Sequence, residues 1–63
     1  MCEAHAFLLK DGKEEKILEN VDLVRFDKDG EVRLENIFGE QKTIKARFRL
    51  YSNTDRKIVF EPI

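Results

Sequence analysis

The chain has 63 residues, 41% of them hydrophobic and 40% charged, with 12 Lys plus Arg against 13 Asp plus Glu. A chain this short folds as one domain at most and buries a thin core, so a dimer is the expected remedy. Its near-neutral balance provides no long-range attraction for nucleic acid or anionic membrane, and its one Cys excludes an internal disulfide or a Zn cage.

In chain order, Cys2 to Leu9 reads as a strand with Ala4, Ala6 and Leu8 on one face and His5, Phe7 and Leu9 on the other, both faces at least partly buried. Lys10-Asp11-Gly12-Lys13 is a hairpin turn, because Asp-Gly accepts the positive φ values such turns need. A short second strand, Glu15 to Leu18, returns from it, and Glu19-Asn20 breaks the pattern. In a third strand Val21, Leu23 and Arg25 alternate with Asp22, Val24 and Phe26, and Asp27-Lys28-Asp29-Gly30 makes another turn. Glu31 to Glu35 alternates strictly, with Val32 and Leu34 facing inward.

Asn36-Ile37-Phe38-Gly39-Glu40 interrupts the period. It reads first as a buried turn with Gly39 at positive φ, and second as a dimer contact. Thr43 to Tyr51 is the longest strand, with Ile44, Ala46, Phe48 and Leu50 on one face and Lys45, Arg47, Arg49 and Tyr51 on the other. Ser52 to Asp55 turns the chain into a last strand, Lys57 to Glu61, closed by Pro62. The one stretch of helical composition, Lys13 to Glu19, is too short for a marginal helix. The pattern predicts an all-β single domain over residues 1–63: a small SH3-like antiparallel barrel of about six short strands, with an OB-like barrel the nearest relative shape.

No apolar run reaches the roughly 20 residues of a membrane span, and the charged N-terminus does not read as a signal peptide, so the expected location is the cytoplasm. Catalysis is not expected. Cys2 and His5, three positions apart on one strand, point to opposite faces and cannot form a dyad.

The N-terminus does carry metal-binding chemistry. The terminal amine, the backbone nitrogen of residue 2 and the Cys2 thiolate can close two adjacent five-membered chelate rings. That donor set suits square-planar Ni(II) or Cu(II), whose ligand-field stabilisation offsets amide deprotonation, and it offers Zn(II) no such gain. The competing amino-terminal motif needs His at the third position, which is Glu3 here. On residues alone, Cys2 reads equally as a small apolar residue opening a strand.

Met1-Cys2-Glu3-Ala4, Lys10-Asp11-Gly12-Lys13-Glu14-Glu15, Asn20-Val21-Asp22-Leu23-Val24 and Asn36-Ile37-Phe38-Gly39-Glu40-Gln41-Lys42 together resemble the CooT-type small nickel-binding proteins, over nearly the whole chain. The resemblance implies an SH3-like barrel that dimerises with itself and holds Ni(II) between subunits through Cys2, with Met1 and Glu3 beside it in the metal site. It also implies a part in nickel supply as chaperone or store, linked to maturation of carbon monoxide dehydrogenase, so that a client metalloenzyme is a further partner. His5 stands outside the family pattern and reads as a packed residue before a ligand or a partner of one. The alternative is an RNA-binding barrel using the Lys45, Arg47, Arg49 and Tyr51 face, although nucleic acid is not the expected partner at a net charge of −1. The same strand could instead pair with a partner protein.

Overall fold

The computed structural model describes residues 4–63. Five strands, β1 (Ala4–Lys10), β2 (Lys13–Phe26), β3 (Glu31–Asn36), β4 (Gln41–Ser52) and β5 (Lys57–Pro62), close into a barrel, with one turn of 3₁₀ helix at Lys28–Gly30 between β2 and β3. The SH3-like all-β architecture expected from the sequence is therefore present. Four seams are antiparallel and the β1–β5 seam is parallel. Up-and-down alternation cannot run unbroken around an odd number of strands, so one parallel seam is unavoidable.

The strand count differs from expectation by one. The short strand at Glu15–Leu18 and the strand at Val21–Phe26 are a single 14-residue element. Glu19-Asn20 bends that element instead of ending it. Asn20 takes φ 54°, a left-handed value that Asn tolerates better than most residues. Ala4 pairs with Val21 and Ala6 with Leu18, so β2 has one more residue than β1 in this interval, and the bulge turns the strand sharply. The first half of β2 then pairs with β1 and the second half with β3.

Two further bulges overturn the simple alternation. Val21 pairs with Asn36 but Leu23 pairs with Glu35, so Val24 and Phe26, not Leu23 and Arg25, continue the inward side opposite Leu34 and Val32. In β4, Phe48 pairs with Phe60 and Leu50 with Val59, which shifts the parity after Arg49. The three hairpin features otherwise follow their residues. Asp11 and Gly12 have φ 52° and 79°, Asp29 and Gly30 have φ 60° and 74°, and Gly39 has φ 84°.

The core is Ala6, Val21, Val32, Leu34, Ala46 and Phe60, with Leu8, Ile17, Leu18, Val24, Ile44 and Ile58 packed against it. Phe60 is the largest fully buried side chain, and Phe26 meets it tilted and Phe48 edge-on, each at 6.5 Å between ring centres. The small residues Ala4, Ala6 and Ala46 allow strand backbones to close tightly around this ring.

The kink at Asn20 has a direct test. Asn20→Gly should leave stability within about 0.5 kcal/mol, whereas Asn20→Val should cost roughly 1–2 kcal/mol because a β-branched residue resists left-handed φ. Urea denaturation followed by circular dichroism measures both. Equal stability of the two variants would contradict a strained kink.

Candidate metal centre and the barrel end that carries it

The residues singled out for metal binding, Met1, Cys2 and Glu3, lie outside the described residues. The structure does describe what they lead into. Ala4 is buried and opens β1 opposite Val21, and Val21 in turn faces Asn36 on β3. On the other side His5 pairs with Lys57 and donates its backbone N–H to the Arg56 carbonyl at 2.8 Å. The start of β1 is thus held from both flanks.

The His5 imidazole is used in the fold. Its Nδ1 accepts the backbone N–H of Asn20 at 3.3 Å, so the ring clasps the bend in β2. This matches the packed role expected for His5. Nearby, Lys16 donates to Glu19 Oε2 at 2.6 Å, and that hydrogen bond, with the ammonium charge, holds the Glu19 carboxyl below its ordinary pKa. Lys57 donates to Glu14 Oε1 at 2.9 Å, which raises the Lys57 pKa above its ordinary value.

The Asn36–Glu40 turn stands at the same end. The Asn20 carbonyl accepts the Ile37 N–H at 3.0 Å. The buried Asn36 side chain organises the rest: its Oδ1 accepts the Phe38 and Glu40 backbone N–H groups at 3.1 and 2.9 Å, and its Nδ2 donates to Glu40 Oε1 at 2.7 Å. Ile37 and Phe38 project outward, 44% and 69% exposed. The expectation of a buried turn is corrected here, because it is Asn36 that occupies the interior and the two apolar residues that leave it.

The basic face proposed for RNA does not survive intact. The bulge at Arg49 places Tyr51 opposite Ile58, on the side of Phe48 and Phe60. Arg47 and Arg49 share the Glu61 carboxylate at 3.0 and 3.3 Å. Tyr51 instead joins Val24, Phe26, Phe48 and Ile58 in lining an apolar cleft of about 470 Å³, a feature hidden from strict alternation. The signal that could have found it is Phe26 at the end of β2 together with Phe48 and Tyr51 on β4.

Among the described residues, no group of three or more His, Cys, Asp and Glu side chains could hold a metal ion, and no helix is long and apolar enough to cross a membrane. The fold defines a small SH3-like barrel. The family model for the CO dehydrogenase accessory protein CooT matches residues 1–61. A crystal structure of a candidate CooT from Carboxydothermus hydrogenoformans is 42% identical over 98% of both chains, with a TM-score of 0.89. No curated protein matches. The chain belongs to the CooT family of CO dehydrogenase accessory proteins.

Removing the organiser of the turn gives a second test. Asn36→Ala leaves the Phe38 and Glu40 N–H groups without their acceptor and should cost about 1–3 kcal/mol in urea denaturation. A loss below about 0.5 kcal/mol would show that the turn holds without Asn36.

Proposed function

We propose that this protein binds Ni(II) as cargo through Cys2, with Met1 and Glu3 completing the site, and supplies it in the maturation of carbon monoxide dehydrogenase. The observation that carries the reading is membership of a family of CO dehydrogenase accessory proteins whose match begins at residue 1 and so includes the Met1-Cys2-Glu3 segment. The donor chemistry admits Ni(II) or Cu(II), and the tie to carbon monoxide dehydrogenase favours nickel. A thiolate, an amine and an amidate offer a strong in-plane field, which rewards a d⁸ ion and gives little to Zn(II).

The fold supports the reading in physical terms. β1 begins at Ala4, pinned by Val21 on one side and by the Arg56 carbonyl on the other, so the donors precede a rigid strand. Two such segments from a homodimer would supply two thiolates and two nitrogens to one ion between the subunits. Ni(II) is held and passed on without chemical change, so the function requires no catalytic residue. The site of action is the cytoplasm, where a thiol stays reduced.

The pairing of Arg47 and Arg49 with Glu61, and the displacement of Tyr51 from their side, weaken the RNA alternative. Phosphate binding by these arginines would have to compete with an internal carboxylate.

Titration of the reduced protein with Ni(II), followed by absorbance and native mass, tests the proposal. The expected result is one nickel per dimer with thiolate-to-nickel charge-transfer bands, both lost in Cys2→Ser. Affinity should fall as pH drops below neutrality, since binding must displace the thiol proton and an amide proton. Nickel uptake that is unchanged in Cys2→Ser, or flat with pH, would refute this ligand set.

A further inference from the structure

The second half of β2, β3 and the first half of β4 form a three-stranded outer face, on the side of the sheet away from the buried Val32 and Leu34. On that face Arg25 of β2 stands directly opposite Arg33 of β3, and Arg33 stands directly opposite Thr43 of β4. All three residues are exposed.

Two guanidinium groups in register repel each other. Residues paired in this way have their Cβ atoms about 5 Å apart, and like charges so placed destabilise a sheet. Neither side chain has an ion pair or hydrogen bond among the described residues, whereas Arg47 and Arg49, further along β4, share the Glu61 carboxylate. The carboxylates closest in register are Glu31 and Glu35, two positions to either side of Arg33 on β3. Glu31 already has Lys45 opposite it, and Glu35 lies between Leu23 and Gln41. Three cations, Arg25, Arg33 and Lys45, therefore meet two carboxylates, on a chain whose net charge is −1.

The chemistry of the face selects its occupant. Each guanidinium is a planar fork that receives a carboxylate through two parallel N–H donors, and the Thr43 hydroxyl adds a donor beside Arg33. Leu23, two residues before Arg25 on the same face and about 7 Å along the strand, is 44% exposed. An extended peptide with a carboxylate and an aliphatic side chain two residues apart presents both on one side at that same spacing. Nucleic acid fits the face less well. Phe26, Phe48 and Tyr51 line the cleft instead of this face and provide no stacking platform here, and Glu31 and Glu35 would confront the phosphates.

We propose that the Arg25–Arg33 pair, with Thr43 and Leu23 beside it, is a docking surface for an extended acidic segment of a partner protein, the carboxylate on the two arginines and a neighbouring aliphatic side chain on Leu23. The bound carboxylate turns the repulsion between the arginines into a shared attraction, so a pairing that costs the free barrel stability favours the complex. The surface lies about 13 Å along β2 from Val21, the residue that faces Ala4, and the proposal does not depend on the nickel reading.

The experiment is fluorescence anisotropy of a dye-labelled peptide repeating Glu-Ser-Leu-Ser, titrated at low salt with the full reduced chain as wild type, Arg25→Gln, Arg33→Gln and Lys13→Gln. Lys13, on the β1–β2 hairpin, controls for the change of charge alone. The expected result is binding by the wild type and Lys13→Gln alike, a dissociation constant raised about tenfold in each arginine variant, and a similar loss when Gln replaces Glu in the peptide. Urea denaturation should place both arginine variants at or above the wild-type midpoint, because each removes the repulsion. Failure of the wild type to bind the peptide, equal binding by the arginine variants, or an equal loss in Lys13→Gln overturns the proposal. So does tighter, arginine-dependent binding of poly(U) RNA, which would assign the face to nucleic acid. Charge-transfer bands on addition of Ni(II) are read in the same proteins and should be unchanged in Arg33→Gln, so that the docking surface and the nickel site stand or fall separately.

Discussion

The bend at Asn20 is the constraint on which the rest of the barrel depends. A left-handed residue in the middle of β2 lets one 14-residue strand serve two halves of a barrel too small to spare another element. Both backbone groups of Asn20 are spent at the bend, its N–H on the His5 ring and its carbonyl on the Ile37 N–H. Those two bonds tie β1 and the Asn36–Glu40 turn to the same point. The placement of the start of β1 and of the exposed Ile37–Phe38 tip thus follows from one local backbone conformation.

That economy suits a chain with a thin core. Its fully buried large side chains are few, and Phe60 organises much of the interior by contact with Phe26 and Phe48. Those two partners remain half in water, an arrangement that leaves apolar surface available at modest cost. A larger domain would bury such rings completely. Here the unfinished side of the core is the cleft.

The legible part of the fold was the local part. Asp11-Gly12, Asp29-Gly30 and Gly39 reveal their turns because positive φ has a residue signature, and Val32 and Leu34 reveal their face because β3 has no irregularity. Asn20 was read as an end when it is a bend, since a left-handed residue marks both and only pairing partners on either side distinguish them. Tyr51 was placed on the wrong face because a bulge consumes one residue without any compositional trace. A buried turn is the first reading of Ile37-Phe38-Gly39 and a dimer contact the second, yet the residue that takes the interior is the polar Asn36, whose side chain gains three hydrogen bonds there. Of the candidate site, donor chemistry and family resemblance single out Cys2 as the proposed ligand. The flanking supports were not legible, because they come from β2 and from the Asn53–Arg56 turn, remote in sequence.

The central claim is that Cys2 places sulfur on a low-coordinate Ni(II) ion. X-ray absorption at the nickel edge of the loaded protein tests it most directly. The account predicts a planar four-coordinate edge with sulfur and nitrogen scatterers, the sulfur shell vanishing in Cys2→Ser. A six-coordinate spectrum of oxygen and nitrogen alone, identical in both proteins, would contradict it.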